Sequence, residues 1–258
     1  MPGSTINMLW VRGDLPWYAI ASIQSFLRVG HSVHLYHYGR ISNIPPGCVE
    51  RDASEVLDES RIFSYSAGSM KGHLSGFADW FRYELLLKEG GWWSDIDVIA
   101  LKPFTTQSPY LFASGWEPTV PRYVNNNVIY VAEQNSELMR ACVGVCRERG
   151  ADVEHCETGP VLLHKLVQEM SLNDYVSDPQ IFNPIHYGDL RLLVTTRARL
   201  RVIALSRRIR NLRPIFLGRG SKAVHLYAAL LQKALTLDTV MDIPSGSYLA
   251  EVLRVSGS

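Results

Sequence analysis

The stretch Phe77–Phe104, FADWFRYELLLKEGGWWSDIDVIALKPF, limits what this chain can fold into more than any other part of it. Phe77, Trp80, Phe81, Leu85 and Leu87 predict a largely buried helix from about Gly76 to Lys88. Gly90-Gly91 stops it. Trp93 to Leu101 then reads as a short strand that ends before Pro103. Asp95 and Asp97 stand in the middle of that apolar run. On extended backbone, side chains two apart point to the same side. Two like charges held together away from water are costly without a counter-ion. A divalent cation with oxygen ligands removes that cost. A D-x-D pair alone is weak and is often a solvated turn. Its place behind Gly-Gly-Trp-Trp, inside an apolar run, shifts the reading to a cation site. Upstream, Asp79 and Arg82 are three apart and share a helix face, a spacing whose commoner meaning is a surface ion pair.

Around this segment the chain alternates strand and helix. Ile6–Val11 predicts a buried first strand and Trp17–Val29 a helix stopped by Gly30. Val33–Tyr38 predicts a second strand, so the sheet opens parallel. Asp52–Leu57 looks like a capped helical start. Residues 62–75, rich in Ser and Gly, predict a flexible loop ahead of the key helix, a candidate lid. Further strands are expected at Leu111–Trp116, Val124–Ala132 and Phe182–Tyr187. Helices are expected at Ser136–Arg149 and at Val161–Met170, the latter with Pro160 near its first position. Ala223–Leu235 predicts a helix that opens near His225, after a strand-like Ala223-Val224. The tail to Ser258 carries no signal.

The 258 residues suit one large domain or two small ones. A net charge of +1 argues against a dedicated nucleic-acid binder. No apolar run reaches the roughly 18 residues of a membrane span, and the N-terminus lacks a basic segment followed by an apolar block, so no secretory signal is expected. Cys48, Cys142, Cys146 and Cys156 show no disulfide framework, and zinc would need further ligands at proper spacing. The expected compartment is a reducing cytoplasm, with the inner membrane face as a peripheral site.

Asp79-x-x-Arg82-Tyr83, Gly90-Gly91, Asp95-x-Asp97 and Pro103 together resemble the sugar-binding region of glycosyltransferase family 32. Asn125-Asn126, the Thr158-Gly159-Pro160 loop, the late His225, and the Ser22, Ser25, Phe26, Leu27 pattern of the first helix are similar too. The match spans about residues 6 to 230 and is most specific at 76–104. It implies an α/β fold of the GT-A type, with a Rossmann-like mixed central sheet flanked by helices. It implies one catalytic domain over 1–258, with a nucleotide-sugar half at about 6–104 and an acceptor half at about 105–235. The implied activity is metal-dependent transfer, with retention, of a sugar from a nucleotide diphospho-sugar, a UDP-sugar by preference. The acceptor would be a hydroxyl of a glycan, a lipid-linked saccharide or a small-molecule glycoside.

The resemblance also implies roles by position. Asp79 and Arg82 would hold donor-sugar hydroxyls, with Gly159 beside them. Asp95, Asp97 and His225 would hold Mn²⁺ or Mg²⁺, Asp97 directly. Leu9, Trp10 and Val11 would line the base pocket. Asn125, Asn126 and Glu157 are the candidate groups at the reacting sugar, Glu157 being a candidate nucleophile by analogy with two-carboxylate glycosidases. A front-face route, in which the leaving phosphate takes the acceptor proton, needs no such nucleophile and is preferred. A lone histidine is more often a core or capping residue than a ligand, which is the plain reading of His225. The competing function is a non-catalytic sugar-nucleotide or glycan binder on the same scaffold, which need not bind metal. A two-metal phosphoesterase would want clustered ligands, and His31, His34 and His37 do not supply them. The arginine-rich segment 191–222 fits no family motif. A solvated surface helix is its first reading, and contact with donor phosphates or an acidic membrane surface its second.

Overall fold

Alternate residues of the strands feed opposite cores, and this sorting builds the molecule. The computed structural model describes residues 4–256 apart from 69, 118, 121, 211–219 and 236. The chain runs β1 (Thr5–Leu9), α1 (Trp17–Arg28), β2 (Ser32–His37), β3 (Cys48–Asp52), α2 (Ser75–Glu89), β4 (Gly91–Ser94) and β5 (Val98–Ala100). It continues through β6 (Tyr110–Gly115), β7 (Tyr123–Val131), α3 (Glu137–Arg149), α4 (Leu162–Glu169) and α5 (Pro179–Phe182). Last come α6 (Arg197–Ile209), β8 (Ala223–His225), α7 (Ala228–Leu235) and α8 (Tyr248–Ser256). Six strands form one sheet in the order β3-β2-β1-β4-β7-β6. β1, β2, β3 and β4 are parallel, and β7 and β6 join antiparallel. This is the mixed α/β class expected from the sequence.

Ile6, Met8, Val33, Leu35, Trp92 and Val128 pack to one side with Ile23 and Phe26 of α1. Leu9, Tyr36, Trp93 and Ile129 pack to the other with Phe77 and Phe81 of α2 and with α3. The period of two along each strand produces this division. A third core joins β5 and β8 to Ala21 of α1 and to α6, α7 and α8 through Ile99, Val224, Leu200, Leu231 and Leu249.

Strand order places the crevice. From β1 the chain crosses outward to β2 and β3, then returns to β4 on the other side of β1. In such sheets the crevice opens at the carboxyl ends of the two strands flanking the switch. Here those ends are Leu9-Trp10-Val11 and Ser94-Asp95.

Several expectations need correction. Trp93–Leu101 is not one strand. β4 ends at Ser94, residues 95–97 turn with the Val98 amide donating to Asp95 O (3.2 Å), and β5 leaves to pair with β8. Phe182–Tyr187 is not a strand: Pro179–Phe182 is a helical turn, and a 3₁₀ segment follows at Tyr187–Leu192. The Asp52 cap is real but serves a single 3₁₀ turn, accepting from Ser54 N. β3 and α8 had no clear signature in the sequence. His225 ends a strand rather than opening a helix. Part of the arginine-rich segment, 211–219, lies outside the described residues.

Candidate functional site

The turn after β4 is where the site assembles. Asp95 leaves the sheet with its amide bonded to Asn127 O at 2.8 Å. Asp97 is fixed on the other arm: its carbonyl accepts from Leu226 N (2.9 Å), and its Oδ2 accepts from Ala228 N (2.8 Å). His225 arrives through β8, opposite Val98, and its Nε2 lies 3.2 Å from Asp97 Oδ1. One ligand atom each from Asp95, Asp97 and His225 lie within 4.8 Å of one another. They converge through a turn and a second sheet, not through alternation along one strand.

Serines of α1 hold β5 in this position. Ser22 Oγ donates to Val98 O at 2.7 Å, and Ser25 Oγ accepts from Ala100 N at 2.8 Å. β5 pairs with β8 along one edge, and these hydroxyls serve its other edge.

Asp79 and Arg82 are not a surface pair. Their side chains are 6% and 5% exposed. Arg82 Nη2 lies 3.1 Å from Asp79 Oδ1, and Nη1 lies 2.9 Å from Asp95 Oδ1. Nη1 also donates to Asn126 O (2.6 Å), and Nε donates to Ala78 O (3.2 Å). The guanidinium lies 5.1 Å from the Trp93 ring centre, and the Trp93 indole N–H donates to Asp95 Oδ1 at 2.9 Å. Arg82 therefore binds two carboxylates to each other through fixed hydrogen bonds. Burial pushes Asp79 up to about 6, with Arg82 opposing and Asp95 adding to the rise. Burial and the neighbouring Asp97 charge raise Asp95 against the pull of Arg82. In Asp97 burial acts upward too, but His225 and the Ala228 amide outweigh it and hold the group below the usual carboxylate range.

Gly159 is required by close approach. A Cβ there would lie 2.6 Å from Asp79 Oδ2 and 3.2 Å from Asn126 Nδ2. Asn126 Nδ2 donates to Asp79 Oδ1 at 2.7 Å, and Tyr83 Oη donates to Gly159 O at 3.2 Å. Residues 157–161 form a wide π-type turn entered through Cys156, whose φ is +70°.

Asp79, Arg82, Asp95, Asn125, Asn126 and His225 line one cleft of about 450 Å³, a volume typical of small-molecule sites. Glu157 is not among its lining residues. It pairs with Arg149 at 2.9 Å and accepts from Glu154 N at 2.8 Å. Leu9 and Val11 are buried in the core beside α2, and Trp10, half-buried, donates from its indole to Gly13 O. These three stand at the end of β1 but do not line the cleft.

The cleft recruits residues that sequence reasoning missed. Tyr65 and Ser75 border Asp79, and Glu117, Tyr123, His186, Tyr187 and Tyr227 form further walls. His225 and Tyr227 rings are 3.8 Å apart between centres, as are His186 and Tyr187. Tyr227 has φ +50°, so two non-glycine left-handed residues, Cys156 and Tyr227, line the same cleft. Strain of this kind gathers at functional sites. Tyr65 Oη and Ser75 Oγ are buried beside each other, and His225 Nδ1 is buried without a hydrogen-bond partner among the described residues. The only sequence signal for Tyr65 and Ser75 was their place in the loop before α2.

No sequence profile of a protein family matches the chain, and no curated protein matches it. Among solved structures, PaToxG glycosyltransferase aligns with a TM-score of 0.46 at 13% identity, covering 97% of this chain and 85% of its own. A cysteine-to-serine mutant of a transferase aligns at 0.46 and 11% identity, covering 67% and 90%. The apo form of the glycosyltransferase GlyE in Streptococcus pneumoniae aligns at 0.44 and 14% identity, and this chain spans 61% of its length. Identities and scores this low say nothing about shared chemistry. Among the described residues, no helix is long and apolar enough to cross a membrane.

Proposed function

We propose that this chain is a metal-dependent glycosyltransferase, one catalytic domain over 1–258, taking its sugar from a nucleotide diphospho-sugar and giving it to a hydroxyl acceptor. The observation that carries the reading is the convergence of Asp95, Asp97 and His225 within 4.8 Å, beside a cleft that Asp95 and His225 line together with Asp79 and Arg82. The residues fit a divalent ion. Two carboxylates and one imidazole suit Mn²⁺ or Mg²⁺, and the Nε2–Oδ1 contact between His225 and Asp97 is the pairing that an ion would replace. When bound, the ion supplies positive charge for the diphosphate leaving group as its negative charge grows.

The protein's own groups do the rest. Asp79, held by Arg82 and Asn126 against Gly159, accepts hydrogen bonds from donor-sugar hydroxyls. Arg82 sets the spacing of Asp79 and Asp95 and so positions the sugar relative to the leaving group. The Tyr65 and Ser75 hydroxyls, both in the cleft wall, offer hydrogen bonds to a polyol that fills it. The resemblance of the joint motif to that of glycosyltransferase family 32 supports retention and a UDP-sugar. With Glu157 paired to Arg149, the front-face route is favoured over a Glu157 nucleophile. With Leu9 and Val11 buried in the core, only Trp10 of the three residues at the end of β1 is left to meet the base, and it would do so outside the cleft's own lining.

The test is thermal melting against a panel of nucleotide sugars, with and without Mn²⁺, on wild type and Asp97→Ala. A ligand at about 100 times its Kd adds about 2.7 kcal/mol to stability. One UDP-sugar should raise Tm only with metal, and Asp97→Ala should abolish the shift. If no nucleotide sugar moves Tm under any metal, the donor site is wrong and a glycan-binding protein takes its place.

A further inference from the structure

The helix α6 carries an apolar stripe on the wrong side for a solvated element. Val202, Leu205 and Ile209 are 68%, 61% and 77% exposed. At i, i+3 and i+7 they form one line along the helix. Leu200 on the opposite side is fully buried in the third core, with Ile203 and Ala204 packed beside it. The stripe is therefore not a helix turned inside out. It is the outer face of a helix already anchored on its inner one.

The anchoring is firm. Thr196 caps the first turn by accepting from Arg199 N. Arg207 makes two hydrogen bonds of 2.7 Å to the buried Asp189. Arg197 pairs with Glu251 of α8 at 3.2 Å. Among the described residues, Arg199, Arg201, Arg208 and Arg210 form no ion pair and are exposed. By helical spacing Arg201 and Arg208 border one edge of the stripe, and Arg199 and Arg210 the other. The segment between Asp189 and Asp238 contains no acid at all, in a chain whose net charge is only +1.

We infer that α6 is an interfacial helix that seats this protein on an anionic membrane surface, with Val202, Leu205 and Ile209 entering the headgroup–acyl boundary and the flanking arginines meeting lipid phosphates. The pattern of a narrow aliphatic line between two basic edges is the one such helices use. Nucleic acid does not fit it: duplexes reward charge without an aliphatic line, and single strands want aromatic platforms. A second copy of the chain does not fit either. Three aliphatic side chains fall far below the roughly 800 Å² per partner of a stable protein interface, and the arginines would face their own like charges. The inference does not rest on the identity of the donor or on the metal site.

The experiment is flotation of the full chain with vesicles of phosphatidylcholine alone and of phosphatidylcholine and phosphatidylglycerol in equal parts, at low and high salt. Wild type should float with the anionic vesicles only, and less at high salt. The triple variant Val202→Gln, Leu205→Gln, Ile209→Gln should lose binding by on the order of tenfold or more, because each side chain gives up its apolar burial. Arg201→Gln with Arg208→Gln should weaken it about fivefold per arginine. All these positions are exposed, so Tm should hold in both variants, and each variant tests the inference by itself. Failure of wild type to float, undiminished flotation of the triple variant, or a soluble dimer that the triple variant dissociates would each overturn the inference.

Discussion

Arg82 is the residue whose meaning changed most between the linear chain and the folded one. Three-residue spacing from Asp79 reads as a surface pair, since exposure cannot be seen in that spacing. Burial turns it into a clamp, with Asp79 on one side and Asp95 on the other. One guanidinium shared between two carboxylates leaves each incompletely neutralised, and desolvation then wins at Asp79, raising it to about 6 from 3.8. The sign follows from linkage. A carboxyl whose folded pKa is raised holds its proton more tightly in the native state, so its favourable contribution is complete below about pH 4 and is lost as pH climbs through about 6. A shift of about two units corresponds to about 3 kcal/mol. Asp79→Asn keeps the shape and removes the titration. The stability of Asp79→Asn relative to wild type, measured by urea unfolding in metal-free buffer, should therefore improve by about 3 kcal/mol between about pH 4 and pH 7. A difference that stays flat across that range would mean that Arg82 and Asn126 fully compensate the buried charge.

At the scale of elements, the helix α2, its Gly90 stop and most of the strands were readable because their signals are local: apolar period, glycine at positive φ, a capping residue. The break between β4 and β5 was not. An apolar run reads as continuous strand until some distant partner claims half of it, and that partner, β8, lies more than a hundred residues downstream. The Ser22 and Ser25 pair, noticed in the first helix as part of a family-like pattern, proves to be the other half of the answer, and it too is distant in sequence. Their hydroxyls serve the edge of β5 that β8 does not reach. Ser25→Ala should leave the buried Ala100 N–H without a partner and cost on the order of 1–3 kcal/mol of stability. Because Asp97 immediately precedes β5, the same substitution should weaken Mn²⁺ binding, whereas a plain loss of helix α1 stability would leave the metal affinity of the folded fraction intact. Titration calorimetry with Mn²⁺, at a temperature where both forms are folded, separates the two outcomes. The misread segment Phe182–Tyr187 has a similar origin. Its apolar residues Phe182 and Ile185 do face a core, but Pro179 starts a helical turn and Asn183 is spent on Asn127 and Ser114 rather than on a ladder.

For the whole molecule, the site is a joint between two sheets. Asp95 hangs from the six-stranded sheet through Asn127, while Asp97 and His225 belong to the two-stranded one. The D-x-D pair was legible as a pair, and His225 as its late companion only by resemblance. What no local pattern could express is that the two aspartates straddle a boundary, so that filling the site fastens one sheet to the other. On the proposed reading, metal binding would then be a stability term for the C-terminal part of the chain as well as a catalytic one. An ion that binds only the folded arrangement stabilises it by mass action, about 2.7 kcal/mol at 100 times its Kd. Without any nucleotide sugar, Mn²⁺ should therefore raise Tm, and hydrogen exchange should slow at the amides that must separate to open the site, among them Ile99, Val224 and Leu226. Amides of β3, at the far edge of the large sheet, should slow less. His225→Ala removes one ligand while leaving the backbone pairing of β8 possible, so it should erase both the Tm rise and the local protection. If Mn²⁺ stabilises His225→Ala as well as it does wild type, the ion is held elsewhere.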